Sequence, residues 1–312
     1  MVDNTSLRII MELCRDGRSS NARLARRLGI SALTVAKRIS AMLEEDIIAI
    51  KAVPNPEKMG FQASAFIGLN VALKEIDGIC ARLKDNLHVN LVVTCFGQFD
   101  VLLLVYFHEW VGLQTFMKEE LARLEGVRRV ETYLVAEARK RYQGMFDSSR
   151  GRGGPAVLDA VDQQLIEALM RNGRPNYSEL ADKLGLSTST ISRRIAALVR
   201  GDIIKILAVP NPAKMGYAAN AFIAVRADLA KVGTICDRLA GYPEVFMVLR
   251  LMNGFDILFG VHSPNPGTLY DFLKTKVASI DGILNTETFI RGNYLYFSAD
   301  AMFLSSLGSA AG

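Results

Sequence analysis

The feature that most restricts how this chain can fold is that it is written twice. AVPNPEKMGF begins at Ala52 and AVPNPAKMGY at Ala208, an offset of 156 residues. Without a gap, the same offset carries Gly17-Arg18 onto Gly173-Arg174, Leu28-Gly29 onto Leu184-Gly185 and Asp46-Ile47-Ile48 onto Asp202-Ile203-Ile204. It also carries Ala65-Phe66-Ile67 onto Ala221-Phe222-Ile223, Ile79-Cys80 onto Ile235-Cys236 and Phe99-Asp100 onto Phe255-Asp256. Solenoid repeats run to about 20–50 residues, so a repeat this long predicts two copies of a complete folding unit instead. At about 150 residues per domain, 312 residues accommodate two to four domains.

The most legible part of each copy is its beginning. In the second, Leu180, Ala181 and Leu184 make a short apolar stripe, and Gly185 stops that helix because glycine enters the left-handed cap without a Cβ penalty. Ser187 is placed to cap the next helix. There Ile191, Ile195, Leu198 and Val199 fall on one side, and Ser189, Thr190, Arg193 and Ala197 on the other, with Arg194 on the flank. A preceding helix over Val161–Met170 completes a three-helix head of helix-turn-helix type. Hydroxyls and guanidinium groups on an outer helix face are what base edges and phosphates accept.

In the first copy the spacing predicts helices over Ser6–Arg15, Ser20–Leu28 and Ala32–Glu45. On the third, Val35, Ile39, Met42 and Leu43 are expected inward, and Thr34, Lys37 and Ala41 outward. Ala32, Leu33 and Ala36 stand where the second copy has Thr188, Ser189 and Ser192, so this head has fewer groups able to read bases. It is expected to rely on Lys37, Arg38, Arg23, Arg26 and Arg27 against phosphates. For Arg38 and Arg194 the competing expectation is an ion pair within the helix.

Charge placement supports this reading. The net charge is +5, yet residues 8–51 alone hold nine Lys/Arg against five Asp/Glu, and residues 164–207 seven against four. The positive excess lies in the two heads. No stretch reaches the ~18 apolar residues of a membrane span and no leader pattern opens the chain, so a cytoplasmic location is expected. Cys14, Cys80, Cys95 and Cys236 show no CxxC spacing and read as buried thiols.

Behind each head, β-branched runs at Ile47–Val53 and Ile203–Val209 end in Pro-Asn-Pro and read as strands tethering the head to the domain behind it. Next comes strand-helix-strand-strand-helix-strand: Ser64–Leu73, Glu75–Asn86, Val89–Phe96, Phe99–Phe107, Glu109–Leu124 and Val127–Ala136, then again over 219–291. This is the split βαβ, ferredoxin-like pattern. Val101–Val105 and Phe222–Val225 are apolar on both alternations, so a second sheet is expected against the face that the helices leave open. The expected fold is therefore α+β, with heads at 1–51 and 157–207, ferredoxin-like domains at 52–147 and 208–304, and a Gly/Ser-rich linker at 148–156.

NGRPNYSELADKLGLSTSTISRRIAAL, then GDIIKILAVPNPAKMGY, then a βαββαβ pattern with G-x-[FY]-D between its middle strands, resembles the Lrp/AsnC (feast/famine) regulators. The resemblance covers almost the whole chain, twice. It implies a transcriptional regulator that binds double-stranded DNA, is nucleoid-associated, self-assembles, and is modulated by an amino acid or related metabolite bound between its sheet domains. DNA contacts then fall to Ser187, Thr188, Ser189, Thr190, Arg193 and Arg194, and to Thr34, Lys37 and Arg38 in the weaker head. Effector contacts map to Gly97, Gln98, Phe99 and Asp100, and to Asn253, Gly254, Phe255 and Asp256. Family members usually carry one unit per chain, so this chain reads as a covalent pseudo-dimer, four of which would make an octamer-like assembly. The hairpin glycine has shifted next to the phenylalanine in the second copy, so the two effector sites are expected to differ, or one of them to have lost its function.

Siroheme decarboxylases are similar to this family in fold and are the rival enzymatic reading. They need histidines and arginines around a tetrapyrrole, whereas His88, His108 and His262 have no histidine counterpart in the other copy. GxSxG, HExxH and GxxxxGK[ST] are all missing, so no catalytic role, metal or cofactor is expected. The remaining alternative is an effector-sensing assembly protein whose heads no longer bind DNA.

Overall fold

A computed structural model describes residues 2–141, 154–211 and 214–297. The expected linker before Gly154 and the end of the expected 208–304 domain, from residue 298 on, fall outside the described residues. Two compact units emerge, Met1–Lys58 with Pro155–Tyr217 and Met59–Gly154 with Ala218–Gly312. Each unit gathers the same part of both copies, so like packs with like across the repeat.

The first unit holds both heads. Helices α1 (Asn4–Arg15), α2 (Asn21–Leu28) and α3 (Ala32–Glu44) are followed by β1 (Ile48–Pro54). Their counterparts are α6 (Ala160–Arg171), α7 (Tyr177–Leu184), α8 (Thr188–Arg200) and β6 (Ile204–Pro210). Side chains cap every helix start: Asp3, Ser20 and Ser31 in one head, Asp159, Asn176 and Ser187 in the other. Gly29 and Gly185 close the middle helices at φ 71° and 63°, the left-handed geometry that the turn requires. Ile9, Leu13, Leu24 and Val35 fill one head, and Leu165, Ile166, Leu169, Ile191 and Ile195 the other, all fully buried. Leu43, expected inward, is exposed. It lies one residue past Met42, on the edge of the stripe, where the end of α3 leaves the core.

β1 and β6, read from sequence as tethers, pair antiparallel with each other from Ile48↔Pro210 to Pro54↔Ile204. An isolated strand leaves its backbone groups unpaired, and the second copy supplies the partner. The ribbon also explains the repeated Gly-Arg. Gly17 N–H donates to Ile206 O at 2.9 Å, and Gly173 N–H to Ile50 O at 2.8 Å. A Cβ on Gly17 would lie 2.6 Å from the Leu207 backbone, and one on Gly173 2.9 Å from the Ile206 side chain. Arg174 then donates to Gly17 O and Ser19 O at 2.7 and 2.9 Å, fastening one head to the other.

The second unit is built from β2 (Ala63–Val71), α4 (Ile76–Lys84), β3 (Val89–Phe96), β4 (Val101–Phe107), α5 (Trp110–Thr115) and β5 (Val127–Lys140). The second copy contributes β7 (Ala219–Ala227), α9 (Val232–Ala240), β8 (Val245–Leu251), β9 (Ile257–Ser263), α10 (Pro266–Phe272) and β10 (Ile283–Phe297). α5 and α10 each run on into a π-helical turn, at Phe116–Glu120 and Leu273–Val277. The strands close into a barrel in the order β10-β3-β4-β2-β5-β8-β9-β7. Each copy supplies four strands, joined to the other copy by β5–β8 and β10–β3. β5 and β10 run past their predicted ends at Ala136 and Arg291 because those ends pair across the seams, where alternation in the sequence is weak.

Under the helices lie two apolar cores, one around Ile67, Leu69, Val92 and Leu103, the other around Ile223, Val225, Val248 and Phe259. The opposite sheet face meets the other copy through rings: Phe66–Phe222, Phe99–Phe289 and Tyr133–Phe255, each at 5.5 Å, with Phe246 of the second copy packed on Phe222 at 5.8 Å. The second sheet expected against that face is thus supplied by the chain itself. All four cysteines are buried and free, and burial pushes Cys95 and Cys236 up to about 12.

His262 is set into this aromatic layer. It stacks on Phe246 at 4.2 Å, and its Nδ1 lies 2.6 Å from Asn220 Oδ1. Burial, with Arg291 nearby, pushes the imidazole down to about 3. The folded state therefore binds the proton less readily than the unfolded chain does. Its stability is complete above pH ~6.5 and falls as pH drops from there toward 3, by roughly 2 kcal/mol between pH 6.5 and 5. Melts of wild type and His262→Gln across that range are expected to show a shallower acid slope in the variant.

Candidate functional site

The outer faces of α3 and α8 are exposed to solvent. At the start of α8 the Ser187 hydroxyl accepts from Thr190 N–H and bonds the hydroxyls of Ser189 and Thr190 at 2.9 and 2.8 Å. Thr188, Ser189, Ser192 and Arg193 are exposed, and Arg193 has no acidic partner among the described residues. α3 repeats the cap, with the hydroxyls of Ser31 and Thr34 2.8 Å apart, but presents Ala32, Leu33 and Lys37 to solvent. Thr34 and Thr190 are therefore partly taken up in capping.

Arg38 and Arg194 are placed differently from the expectation. Arg194 Nη1 donates to Asp159 Oδ2 and Asp162 Oδ1, both at 2.8 Å. Arg38 Nη1 donates to Asp3 Oδ2 at 2.5 Å and to Ser6 Oγ at 2.8 Å. Neither lies free on the outer face, and neither makes the ion pair within its helix that was the competing expectation. Each instead fastens its recognition helix to the N-terminus of the first helix of the same head. Ser6 N–H and then Arg38 hold the Asp3 carboxyl down to about 2. Asp162 N–H and then Arg194 also lower the Asp159 carboxyl below the usual carboxylate range. Sequence spacing missed the lock because its partners lie 35 positions apart. On α2, Arg23 is paired with Asp16 and Arg27 with Glu12, leaving Arg26 and Lys37 without an acidic partner among the described residues of this face. Where the heads meet, Arg18 and Arg174 line a cleft of about 440 Å³.

The hairpins between the middle strands have a structural job in both copies. Asp100 Oδ2 accepts from Val71 N–H, and Asp256 Oδ2 from Ala227 N–H, each at 2.8 Å. Phe99 and Phe255 are buried, so their rings belong to the barrel and not to an open cavity. The shifted glycine has a physical reason. Asn253 stands at the position of Gly97 and stitches its hairpin across the seam, accepting from Leu134 N–H at 2.8 Å and donating to Thr132 O at 2.7 Å. Gly254 beside it, at φ 73°, has no room for a Cβ, which would meet the Tyr133 ring at 2.6 Å. In the first copy the Gln98 side chain donates to Glu131 at 3.2 Å, and its backbone carbonyl accepts from the Asn70 side chain at 2.6 Å. Asp100 lines two adjoining clefts of about 430 and 680 Å³. The larger also carries Lys74, Asn70 and Arg128, and the smaller Thr94, Phe96 and Asp77.

Residues 158–199 match the AsnC-type helix-turn-helix domain, and residues 2–49 a winged helix-turn-helix DNA-binding model. The Lrp/AsnC ligand-binding domain is matched at both 64–145 and 220–292. An uncharacterized HTH-type transcriptional regulator of Pyrococcus horikoshii is 38% identical over 134 residues, which is 85% of that protein and 43% of this chain. The chain belongs to the Lrp/AsnC family of transcriptional regulators. Another relative, an HTH-type transcriptional regulator of Pyrococcus furiosus, is 33% identical over 135 residues, 89% of its length and 43% of this chain. Such one-unit relatives set this Lrp/AsnC chain apart as two units in series.

Among solved structures, the siroheme decarboxylase NirDL has the same fold over 99% of this chain and 100% of its own, at a TM-score of 0.65 and 14% identity. Escherichia coli AsnC is 28% identical, covering 45% of this chain and 95% of its own at a TM-score of 0.43. The three histidines of this Lrp/AsnC chain stack singly on phenylalanines, His88 on Phe107, His108 on Phe61 and His262 on Phe246. Among the described residues, no three His, Cys, Asp or Glu side chains are grouped to hold a metal ion, and no helix is long and apolar enough to cross a membrane.

Proposed function

We propose that this regulator grips duplex DNA with both recognition helices at once, each reading one half-site, while the barrel unit senses a small amino acid. What carries the reading is the head unit: two exposed recognition faces on one body, fastened by the β1–β6 ribbon and the Arg174 contacts. Thr188, Ser189 and Arg193 would supply base contacts, and Lys37 and Arg26 phosphate contacts. Arg38 and Arg194 would act by positioning their helices.

For the effector, the clefts around Asp100 offer what a zwitterion needs, a carboxylate for the ammonium and Lys74 with Arg128 for the carboxyl group. The strand order within each copy of the barrel supports two ferredoxin-like domains, paired within the chain as separate protomers would pair. Further assembly of chains, to an octamer-like tetramer, and action at the nucleoid in the cytoplasm complete the proposal. We assign the chain no catalytic role, because each of its histidines is taken up in stacking on a phenylalanine.

Two measurements test this. Retention of duplex DNA should fall with salt, each phosphate contact adding about −0.9 to the log–log slope. Lys37→Ala and Arg26→Ala should each flatten that slope by about one contact, and an unchanged slope would remove those residues from the interface. A thermal-shift screen of amino acids and their keto acids should yield a ligand that stabilises the protein by roughly 2.7 kcal/mol at 100 times its dissociation constant. Stabilisation that survives in Asp100→Asn with Arg128→Ala would place the ligand elsewhere.

A further inference from the structure

The two recognition faces differ in chemistry as well as in strength. On α8 the exposed positions are Thr188, Ser189 and Ser192, and at the same places on α3 the chain has Ala32, Leu33 and Ala36. Leu33 is 65% exposed. A lone exposed leucine needs no explanation by itself, since apolar atoms make up much of any surface. Its surroundings give it one. It lies in the first turn of a recognition helix, between the Ser31 cap and exposed Lys37, and next to α2, whose Arg26 is also exposed.

The helix beneath each reading face differs in the same sense. Arg23, Arg26 and Arg27 of α2 correspond to Glu179, Asp182 and Lys183 of α7. Arg23 and Arg27 are paired with Asp16 and Glu12, so one head sets an apolar reading face beside two cations, Arg26 and Lys37, that have no acidic partner among the described residues, and the other sets a hydroxyl and guanidinium face beside mixed charge. A cationic rim draws phosphates toward it, and the apolar group that a major groove presents there is the C5-methyl of thymine.

Resting on the DNA-binding reading, we infer that the two heads read different chemistry. The first recognises thymine methyl groups through Ala32 and Leu33, the second hydrogen-bonding base edges through Thr188, Ser189 and Arg193. The site bound by one chain is therefore not a palindrome: one half is thymine-rich, the other is defined by donors and acceptors. A chain with two separately encoded heads can hold such a preference, whereas a dimer of identical chains presents the same face twice.

The test uses the full-length protein and a random-sequence duplex library. Repeated selection should return a site with two unlike halves. In the selected duplex, deoxyuridine then replaces thymidine in one half at a time, removing only the methyl group. Affinity should fall about fourfold per contacted methyl in the thymine-rich half, equivalent to ~0.8 kcal/mol per buried methyl, and should not change in the other half. Ala32→Thr with Leu33→Ser should abolish that penalty, with an unaltered melt showing that the head is intact. A palindromic consensus, a uracil effect equal in both halves, no uracil effect, or the same penalty in the variant would each overturn the inference while leaving DNA binding standing. Retention of no duplex at all would overturn the DNA-binding reading, and this inference with it.

Discussion

Replacing Phe99 by alanine is expected to lower the melting temperature of the barrel unit by roughly 6–20 °C, from a loss of about 3–5 kcal/mol on truncating a fully buried phenylalanine. The ring occupies the space left by Gly68, where a Cβ would lie 2.6 Å from it, and packs on Phe289 at 5.5 Å and Tyr133 at 6.2 Å. Both neighbours in that aromatic layer lie on the last strands of their copies, so the truncation opens a void where the two halves meet. Gly68→Val should be destabilising for the converse reason, because it forces the same ring out of place. If Phe99 served only to contact an effector, the melt would be unchanged and only ligand-induced stabilisation would be lost. Scanning calorimetry of the two variants without ligand decides between these.

The second large effect is on DNA. Arg193→Ala combined with Thr190→Ala is expected to weaken binding to a selected site by about 5- to 150-fold, the ~1–3 kcal/mol of a good base contact, and to relax the sequence preference at that position. Lys37→Ala with Thr34→Ala should cost less, spread evenly over all sequences, and should reduce the salt dependence. The threonine changes serve as a matched control, since both hydroxyls lie 2.8 Å from the capping serine of their helix and their loss should affect both heads alike. The difference between the pairs therefore reports on Arg193 against Lys37. Equal losses, measured as dissociation constants on the same duplex, would contradict the claim that the heads are unequal.

How much of the molecule is legible in its sequence depends on how local the interactions are. The caps at Ser31 and Ser187, the left-handed glycines and the apolar stripes of the heads act within a few residues, and the sequence pattern shows them directly. The alternation of strands and helices in the barrel unit is equally plain. Which surfaces of the two copies meet is not. The pairing of β1 with β6 spans the repeat, and only the repeated Gly-Arg, with its need for close backbone approach, hints at it. The arginine locks join helices 35 positions apart, so in sequence Arg38 and Arg194 look like surface cations of the outer face. At the hairpins the motif is visible but its cause is not. The aspartates hold the end of the neighbouring strand and the phenylalanines fill the barrel, which leaves one edge of Asp100 facing the clefts. The exchange of Gly97 for Asn253 looks like decay and proves to be a side-chain stitch across the seam.

Hydroxyl-radical footprinting of the intact chain on its selected duplex tests the central claim most directly. With both recognition helices engaged from one body, protection should appear in two patches about one helical turn apart, ~10 base pairs centre to centre. Both patches should be lost together as salt rises. Protection of a single isolated half-site, or of none under conditions where the protein is folded, would contradict it.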